Sequence, residues 1–245
     1  MNDRASGWKH AKISGHENEK NLAEILGEEY QPFSKKVPSI FGDLTTPKKD
    51  LTGPTNISIK KSKGGQVFLT PTPKFISAYE KTYKEIPQSV KDCLLLLFGG
   101  HENISDIQKN VVHGDEKILQ TERKRKTLCV ESIRMYNDKL LNDCIEWFQN
   151  NMYSITEIVF QRGYALNDED FANILLYKNT LGENDLNSTF NMEDLKIKCS
   201  EKSLVYFGDK NGGTTINLPF GHAQYHQGMI QFHHSFEKIK NLFES

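Results

Sequence analysis

Asp50, Ser58 and Lys60 are the residues whose types and spacing point most directly to chemistry. Asp50-Leu51-Thr52 reads as a short strand, and Gly53-Pro54-Thr55-Asn56 reads as a turn, since Gly, Pro and Asn each suit a reversal. Ile57-Ser58-Ile59-Lys60 alternates apolar and polar residues with the strand period. Ile57 and Ile59 then share one face, Ser58 and Lys60 share the other, and the hairpin brings Asp50 beside them. An acid, a second oxygen ligand and a lysine at one point suit phosphodiester hydrolysis. The carboxylate can hold Mg²⁺ with help from carbonyls, waters and a phosphate oxygen. The metal polarises the phosphate and lowers the pKa of a bound water. A lysine beside it orients that water or offsets the charge that grows in the transition state. The plain alternative is three ordinary surface residues around a hairpin. Asp43, in Phe41-Gly42-Asp43, competes as the first acid, and Asp50 is preferred because it begins a strand-like run.

The elements around this hairpin must place it. Residues 15–27 read as a helix, with Ser14 as its cap and Gly27 as its end. Leu22, Ile25 and Leu26 have the spacing of a buried stripe. Glu19 lies a turn earlier, near that face, where it can supply a further carboxylate to the hairpin; a solvated helix glutamate is the competing reading. Residues 31–47 carry Pro32, Pro38 and Pro47 and read as a connecting loop. After a Gly64-Gly65 turn, residues 66–69 extend the hairpin. Residues 71–83 and 89–98 read as helices, the second ended by Gly99-Gly100. Residues 135–152 form a helix with a wide apolar face that includes Leu140, Leu141, Cys144, Trp147 and Phe148. Residues 155–160 suit a helix or a strand, and so do residues 171–177. From Leu195 the texture changes to short strands at 195–198, 203–207, 214–218 and 228–232, before a closing helix at 236–243. The expectation is a mixed α/β fold with a mixed sheet flanked by helices. We read it as one nuclease domain, with a catalytic core at about 15–110, a helical middle at about 115–180 and a strand-rich, DNA-reading part at about 195–245.

The formal net charge is -1, so no global basicity announces nucleic acid. A DNA enzyme needs a basic cleft rather than a basic whole. Basic residues do cluster, at Lys60, Lys61 and Lys63 and at Arg123-Lys124-Arg125-Lys126, and Arg162 stands in Gln161-Arg162-Gly163. The segments 210–213 and 220–227 read as loops between strands. Their Lys210, Asn211, His222, Gln224, His226 and Gln227 are side chains that read base edges or phosphates. Cys93, Cys129, Cys144 and Cys199 form no closely spaced pair, which argues against zinc and redox motifs and for reduced thiols. There is no apolar signal region at the N-terminus, and the longest apolar run, 93–98, is far too short for a membrane. A cytoplasmic location is expected.

Taken together, separated stretches resemble the type II restriction endonucleases of the PD-(D/E)XK superfamily, in particular the small GCGC-cutting enzyme and, more distantly, its CCGG-cutting relative. The stretches are Gly7 and Ala11-Lys12; Gly15 with Asn18-Glu19-Lys20 and Ala23; Lys49-Asp50; Ile57 to Lys60; Arg123 to Lys126; the helix ending at Trp147; Arg162-Gly163; and Met229-Ile230-Gln231-Phe232 after Gly212-Gly213. The resemblance implies Mg²⁺-dependent cutting of double-stranded DNA and a cognate DNA methyltransferase that protects host DNA. It makes Asp50 and Lys60 catalytic, places Ser58 in the variable second-acid position, and matches Glu19 to the first-helix acid. Asp50, Ser58 and Glu19 would then be the metal ligands. Ser58 stands where most members carry Asp or Glu, and the segment 210–227 differs from the relatives, so the target sequence is not transferred. Monomer and homodimer both stay open.

Three other readings compete. A repair or mobile-element endonuclease would use the same core without strict sequence preference. A catalytically inactive DNA-binding module would explain Ser58 as loss of the metal site. A metal hydrolase would use His222 and His226 with His233-His234 nearby, provided that an HxxxH pair lies on a helix.

Overall fold

The strand Ile57–Lys60 lies at the centre of a five-stranded sheet. The computed structural model describes residues 3–32, 34–111, 114–182, 185–202, 204–210 and 212–244, with side chains from residue 13 onward. The described chain forms two compact units, Met1–Gly64 with Phe160–Leu195 and Gly65–Val159 with Lys196–Ser245.

In the first unit the sheet runs in the order Glu29–Tyr30, Leu51–Thr52, Ile57–Lys60, Ile174–Lys178, Asn187–Asn191. Ile57–Lys60 and Ile174–Lys178 are parallel, with Ile57 opposite Ile174 and Lys60 opposite Tyr177, and the other neighbours are antiparallel. The sheet is therefore mixed. Alternation decides its faces. Ile57 and Ile59 join Leu51 and, from the helix Asp3–Leu26, Leu22 and Ala23 in one core, with Tyr30, Ile174 and Leu176 against it. Burying a Leu or Ile in this way stabilises by about 2 kcal/mol per side chain before entropy is counted. Ser58 and Lys60 lie in register with Leu175 and Tyr177, and Tyr177 packs edge-on against Phe190.

Several local expectations are corrected here. The first helix spans Asp3–Leu26, so Ser14 is internal and does not cap it. Only Leu22 of the expected stripe is buried; Ile25 and Leu26 are 68% and 46% exposed, because the sheet meets only one narrow face of the last turns. Residues 31–47 are not merely a loop, since Val37–Pro38 and Leu44–Thr45 pair as a small antiparallel ribbon. Residues 171–177 resolve as the strand Ile174–Lys178.

In the second unit the sheet order is Gly64–Pro71, Met229–Ser235, Gly221–His226, Ile216–Leu218, Tyr206–Phe207. Residues 66–69 thus belong to this sheet and do not extend the hairpin of Ile57–Lys60. The helices Thr72–Thr82, Gln88–Phe98 and Val130–Asn150 bring Phe75, Tyr79, Leu94, Phe98 and Phe148 into full burial. Residues 155–160 continue the helix Met152–Thr156 into the π-helical turn Glu157–Arg162. Residues 195–198 are not a strand. They lie in the helix Met192–Lys202, and the burial of Leu195 and Cys199, one turn apart, is what their side chains satisfy. Residues 220–227 are not a loop either. Gly221–His226 is a strand paired with Met229–Ser235, and Gln227 and Gly228 close the hairpin with φ of 51° and 80°. Two positive φ values in a row form the turn that matches the twist of a two-residue hairpin.

The four cysteines are unpaired and buried. No helix among the described residues is long and apolar enough to cross a membrane.

Candidate active site

Asp50 immediately precedes the strand Leu51–Thr52, and its backbone is already tied to the neighbouring strand through Asp50 N to Ile57 O at 2.7 Å. Its side chain turns onto that strand. The Ile59 amide donates to Asp50 Oδ2 at 2.6 Å, and the Ser58 hydroxyl donates to the same oxygen at 3.3 Å. Lys60 Nζ donates to Ser58 Oγ at 2.9 Å and to the Ile59 carbonyl at 2.9 Å. Ser58, 3% exposed, is therefore the link between the acid and the lysine. The structure brings together Asp50, Ser58 and Lys60 through one hairpin of short sequence separation.

The hairpin is itself fastened. Lys49, next to Asp50, turns the other way and donates to the Glu169 carbonyl at 2.7 Å, with Asp170 Oδ1 3.3 Å away in a buried ion pair. The Asn56 amide donates to the carbonyls of Glu169 and Phe171 at 2.7 and 2.8 Å. An ion pair removed from water with its hydrogen bonds satisfied fixes geometry more than it adds stability. Asp43 is not at this point: it accepts from the Ser39 hydroxyl within the ribbon of residues 37–45.

Glu19 joins the group from the helix Asp3–Leu26 with its side chain 17% exposed. Burial, and next the charge of Asp50, push its carboxyl up from 4.5 to about 8, while Lys60 opposes the rise. Asn18, fully buried beside it, donates to the Lys178 carbonyl at 2.9 Å and accepts from the Thr180 amide and hydroxyl, which pins this turn of the helix to the sheet. Glu19 Oε2 lies 3.0 Å from His16 Nδ1, and Tyr30 Oη lies 3.0 Å from that same nitrogen. Burial, followed by the charges of Glu19 and Asp50, raises the Tyr30 phenol above its ordinary value.

Sequence reasoning missed Lys48. It keeps some exposed area, yet protein packs round its ammonium end. Burial lowers its pKa to about 7, with Lys60 adding to the fall and Asp50 resisting it. Its stem lies on Gly163, whose φ is 58°; a β-carbon there would stand 3.2 Å from Lys48 Cε. A lysine between Pro47 and Lys49 carries no periodic signal. His16 and Tyr30 were missed for the same reason.

Can these residues hold a divalent cation? Among the described residues no three His, Cys, Asp or Glu side chains are grouped to enclose a metal ion. Mg²⁺ does not need that. It commonly keeps several waters and is held by one or two carboxylates and the substrate phosphate. Two carboxyl groups that feel each other's charge, one of them raised to about 8 by burial and then by its neighbour, fit such an ion.

The other named residues lie as follows. In the first unit, Lys61 Nζ donates to Ser14 Oγ at 2.6 Å and Lys63 is exposed. Arg162 donates to the Ala165 carbonyl at 3.1 Å and covers the Phe171 ring at 4.8 Å. In the second unit, Arg123, Lys124 and Arg125 form the exposed last turn of the helix Glu116–Arg125, with Lys126 beyond it at φ 55°. Cations there complement the helix C-terminus. Arg125 lies over the Tyr225 ring at 5.1 Å, which ties the basic run to the strand Gly221–His226. Lys210 is exposed; Asn211 lies outside the described residues.

His222, Gln224 and His226 alternate along that strand. Gln224 donates to Gln231 Oε1 at 3.0 Å and lies 3.2 Å from His233 Nε2, and Gln231 donates to Gln66 Oε1 at 2.7 Å. The His222 and His233 rings stack at 4.7 Å. Burial comes first in holding both imidazoles below their ordinary pKa; Lys238 adds to it for His222, and His222 itself for His233. A strand rises about 3.3 Å per residue, so His222 and His226 stand about 13 Å apart. The HxxxH metal hydrolase therefore fails for want of a helix.

No protein-family model matches the chain, and no curated protein sequence matches it. Among solved structures it is similar to the restriction endonuclease MspI in complex with its cognate DNA, with a TM-score of 0.42 and 9% sequence identity over 84% of this chain and 69% of that one.

Proposed function

We propose that the chain is a type II restriction endonuclease of the PD-(D/E)XK kind, which hydrolyses phosphodiester bonds of double-stranded DNA at a short specific sequence with Mg²⁺. The observation that carries this reading is the linkage of Asp50, Ser58 and Lys60 on one hairpin, with the mostly buried Glu19 carboxyl feeling the charge of Asp50. Asp50 and Glu19 would hold the ion, and Ser58, hydrogen-bonded to Asp50, would be a further oxygen ligand. A bound divalent ion supplies charge to the scissile phosphate and acidifies a water. Lys60, its ammonium already fixed by Ser58 Oγ and the Ile59 carbonyl, orients the attacking water and meets the charge developing on the phosphoryl oxygens. The water oxygen bonds to phosphorus and gives up a proton to solvent, the bond to the leaving sugar oxygen breaks, and that oxygen takes up a proton from solvent. On this reading a cognate DNA methyltransferase protects host DNA.

Digestion of a sequenced phage genome with Mg²⁺, followed by sequencing of the ends, tests this. Ends that share one short sequence are expected. A smear would instead support a nuclease without sequence preference, and intact DNA bound equally well without Mg²⁺ would support an inactive binding module.

Sequence reading is assigned to the second unit, chiefly to the strand Gly221–His226 and its turn. Amide side chains pair bidentately with adenine, each such pair giving about 1–3 kcal/mol of discrimination. Exposed Arg123 to Lys126 contact phosphates, which position without specifying. The two groups fail differently. Gln224→Ala should reduce cleavage of the cognate site far more than non-specific binding, and it should narrow the ratio between cognate DNA and DNA with one base pair changed. Arg125→Ala should weaken binding to all DNA alike and lower the salt slope by about one unit. Cleavage and filter-binding on both duplexes separate the cases. An unchanged ratio in Gln224→Ala would move base reading elsewhere.

A further inference from the structure

The helix Asp3–Leu26 presents to Glu19 a partner that the hydrolytic reading does not use. His16 and Glu19 are three residues apart, a spacing at which helical side chains meet. His16 Nδ1 lies 3.0 Å from Glu19 Oε2, and both side chains are mostly withdrawn from solvent, at 33% and 17% exposure. The same nitrogen lies 3.0 Å from Tyr30 Oη, and the two rings meet edge-on at 6.4 Å and 77°. Lys20 Nζ sits 5.7 Å over the Tyr30 ring. Nδ1 can carry one proton. With that proton in place, Nδ1–H donates to Glu19 Oε2, and Tyr30 Oη, at the same distance, is a second acceptor for the one proton, so both partners hold the ring by its Nδ1 edge. One carboxylate oxygen is thereby occupied and the other is left for an incoming ligand.

We propose that His16, held by Tyr30, is a positioning residue that fixes the Glu19 carboxylate so that its Oε1 is presented to a divalent cation. The inference rests on the reading of Glu19 as a cation ligand. A glutamate side chain has three rotatable bonds, and a ligand that must be ordered at the moment of binding loses affinity for that reason. Partners that orient a ligating side chain commonly contribute about 10–100-fold in metal affinity. His16 touches neither water nor phosphate in this scheme, so its removal should weaken cation binding and leave turnover at saturating cation nearly intact.

The test is calorimetric titration of the full chain with Ca²⁺, together with the Mg²⁺ dependence of DNA cleavage, for wild type, His16→Ala, His16→Asn and Glu19→Gln. Asparagine is chosen because its side-chain nitrogen takes the position of Nδ1. His16→Ala should weaken Ca²⁺ binding and raise the half-activating Mg²⁺ concentration about tenfold or more, with a nearly unchanged maximal rate. His16→Asn should recover most of both. If His16→Ala does not fold, His16→Phe against His16→Asn gives the same comparison. His16→Ala with wild-type Ca²⁺ affinity, or an asparagine variant as weak as alanine, overturns the inference while Glu19→Gln remains impaired. Wild-type Ca²⁺ affinity in Glu19→Gln removes Glu19 from the site and takes the inference with it.

Discussion

Lys60→Ala should bind Ca²⁺ and DNA much as the wild type does, yet cleave about 10²–10³-fold more slowly. The reason is geometric. Lys60 Nζ is held by Ser58 Oγ and the Ile59 carbonyl, both at 2.9 Å, so its charge is in place before substrate arrives. An interaction made mainly in the transition state lowers turnover rather than affinity when it is lost. Asp50 should fail in another way. Asp50→Ala removes a cation ligand but also leaves the Ile59 amide without its acceptor, which costs about 1–3 kcal/mol. Asp50→Asn keeps a carbonyl oxygen for that amide and loses the charge. It should keep most of the thermal stability, lose Ca²⁺ affinity and lose cleavage. With Ca²⁺ in place of Mg²⁺ the wild type should bind DNA without cutting it. Calorimetry and single-turnover cleavage on the three proteins check this. Wild-type cleavage in Lys60→Ala or Asp50→Asn would rule the assignment out.

The second large effect is on stability. In the metal-free protein the Glu19 carboxyl is held up to about 8 by burial and then by Asp50, with Lys60 opposing. A raised carboxyl pKa means that the folded chain keeps a proton which the unfolded chain releases above 4.5. The resulting stabilisation is fully present below pH 4.5 and is lost as pH rises through about 8. Glu19→Gln carries no such proton. It should therefore be more stable than the wild type at pH 8 to 9, by an amount of order a few kcal/mol, and the difference should shrink toward pH 5. Ca²⁺ added at pH 8 should reverse the order, because an ion bound only by the folded state stabilises it. Urea unfolding of both proteins at pH 5 and pH 8, with EDTA and with Ca²⁺, measures this. Parallel pH profiles would mean that Glu19 is solvated and ordinary.

Legibility in the sequence followed the range of the interactions. Asp50, the turn at 53–56 and Ile57 to Lys60 lie within eleven consecutive residues, and a reversal between two short alternating runs allows little other geometry. Glu19 was reachable because it lies one helical turn from Leu22, which does face the sheet. Ile25 and Leu26 have the same apolar character but no neighbouring element to cover them, and composition does not reveal that. Alternation over only four residues, as at 195–198, fits a helix as well as a strand. At 220–227 polar residues and flanking glycines masked a strand whose partner, Met229–Ser235, supplies the pairing. Lys48, His16 and Tyr30 gain meaning only when the helix and hairpin meet, and Lys49 finds Asp170 far along the chain.

The central claim is that the hairpin carrying Asp50 and Lys60 hydrolyses DNA with a divalent cation. Its most direct test is a cleavage time course on phage DNA, with purified wild type and Asp50→Asn side by side in Mg²⁺ and in EDTA. The account predicts discrete fragments from the wild type in Mg²⁺ alone and intact DNA in the other three reactions. Equal cleavage by Asp50→Asn, or fragments formed in EDTA, would contradict it.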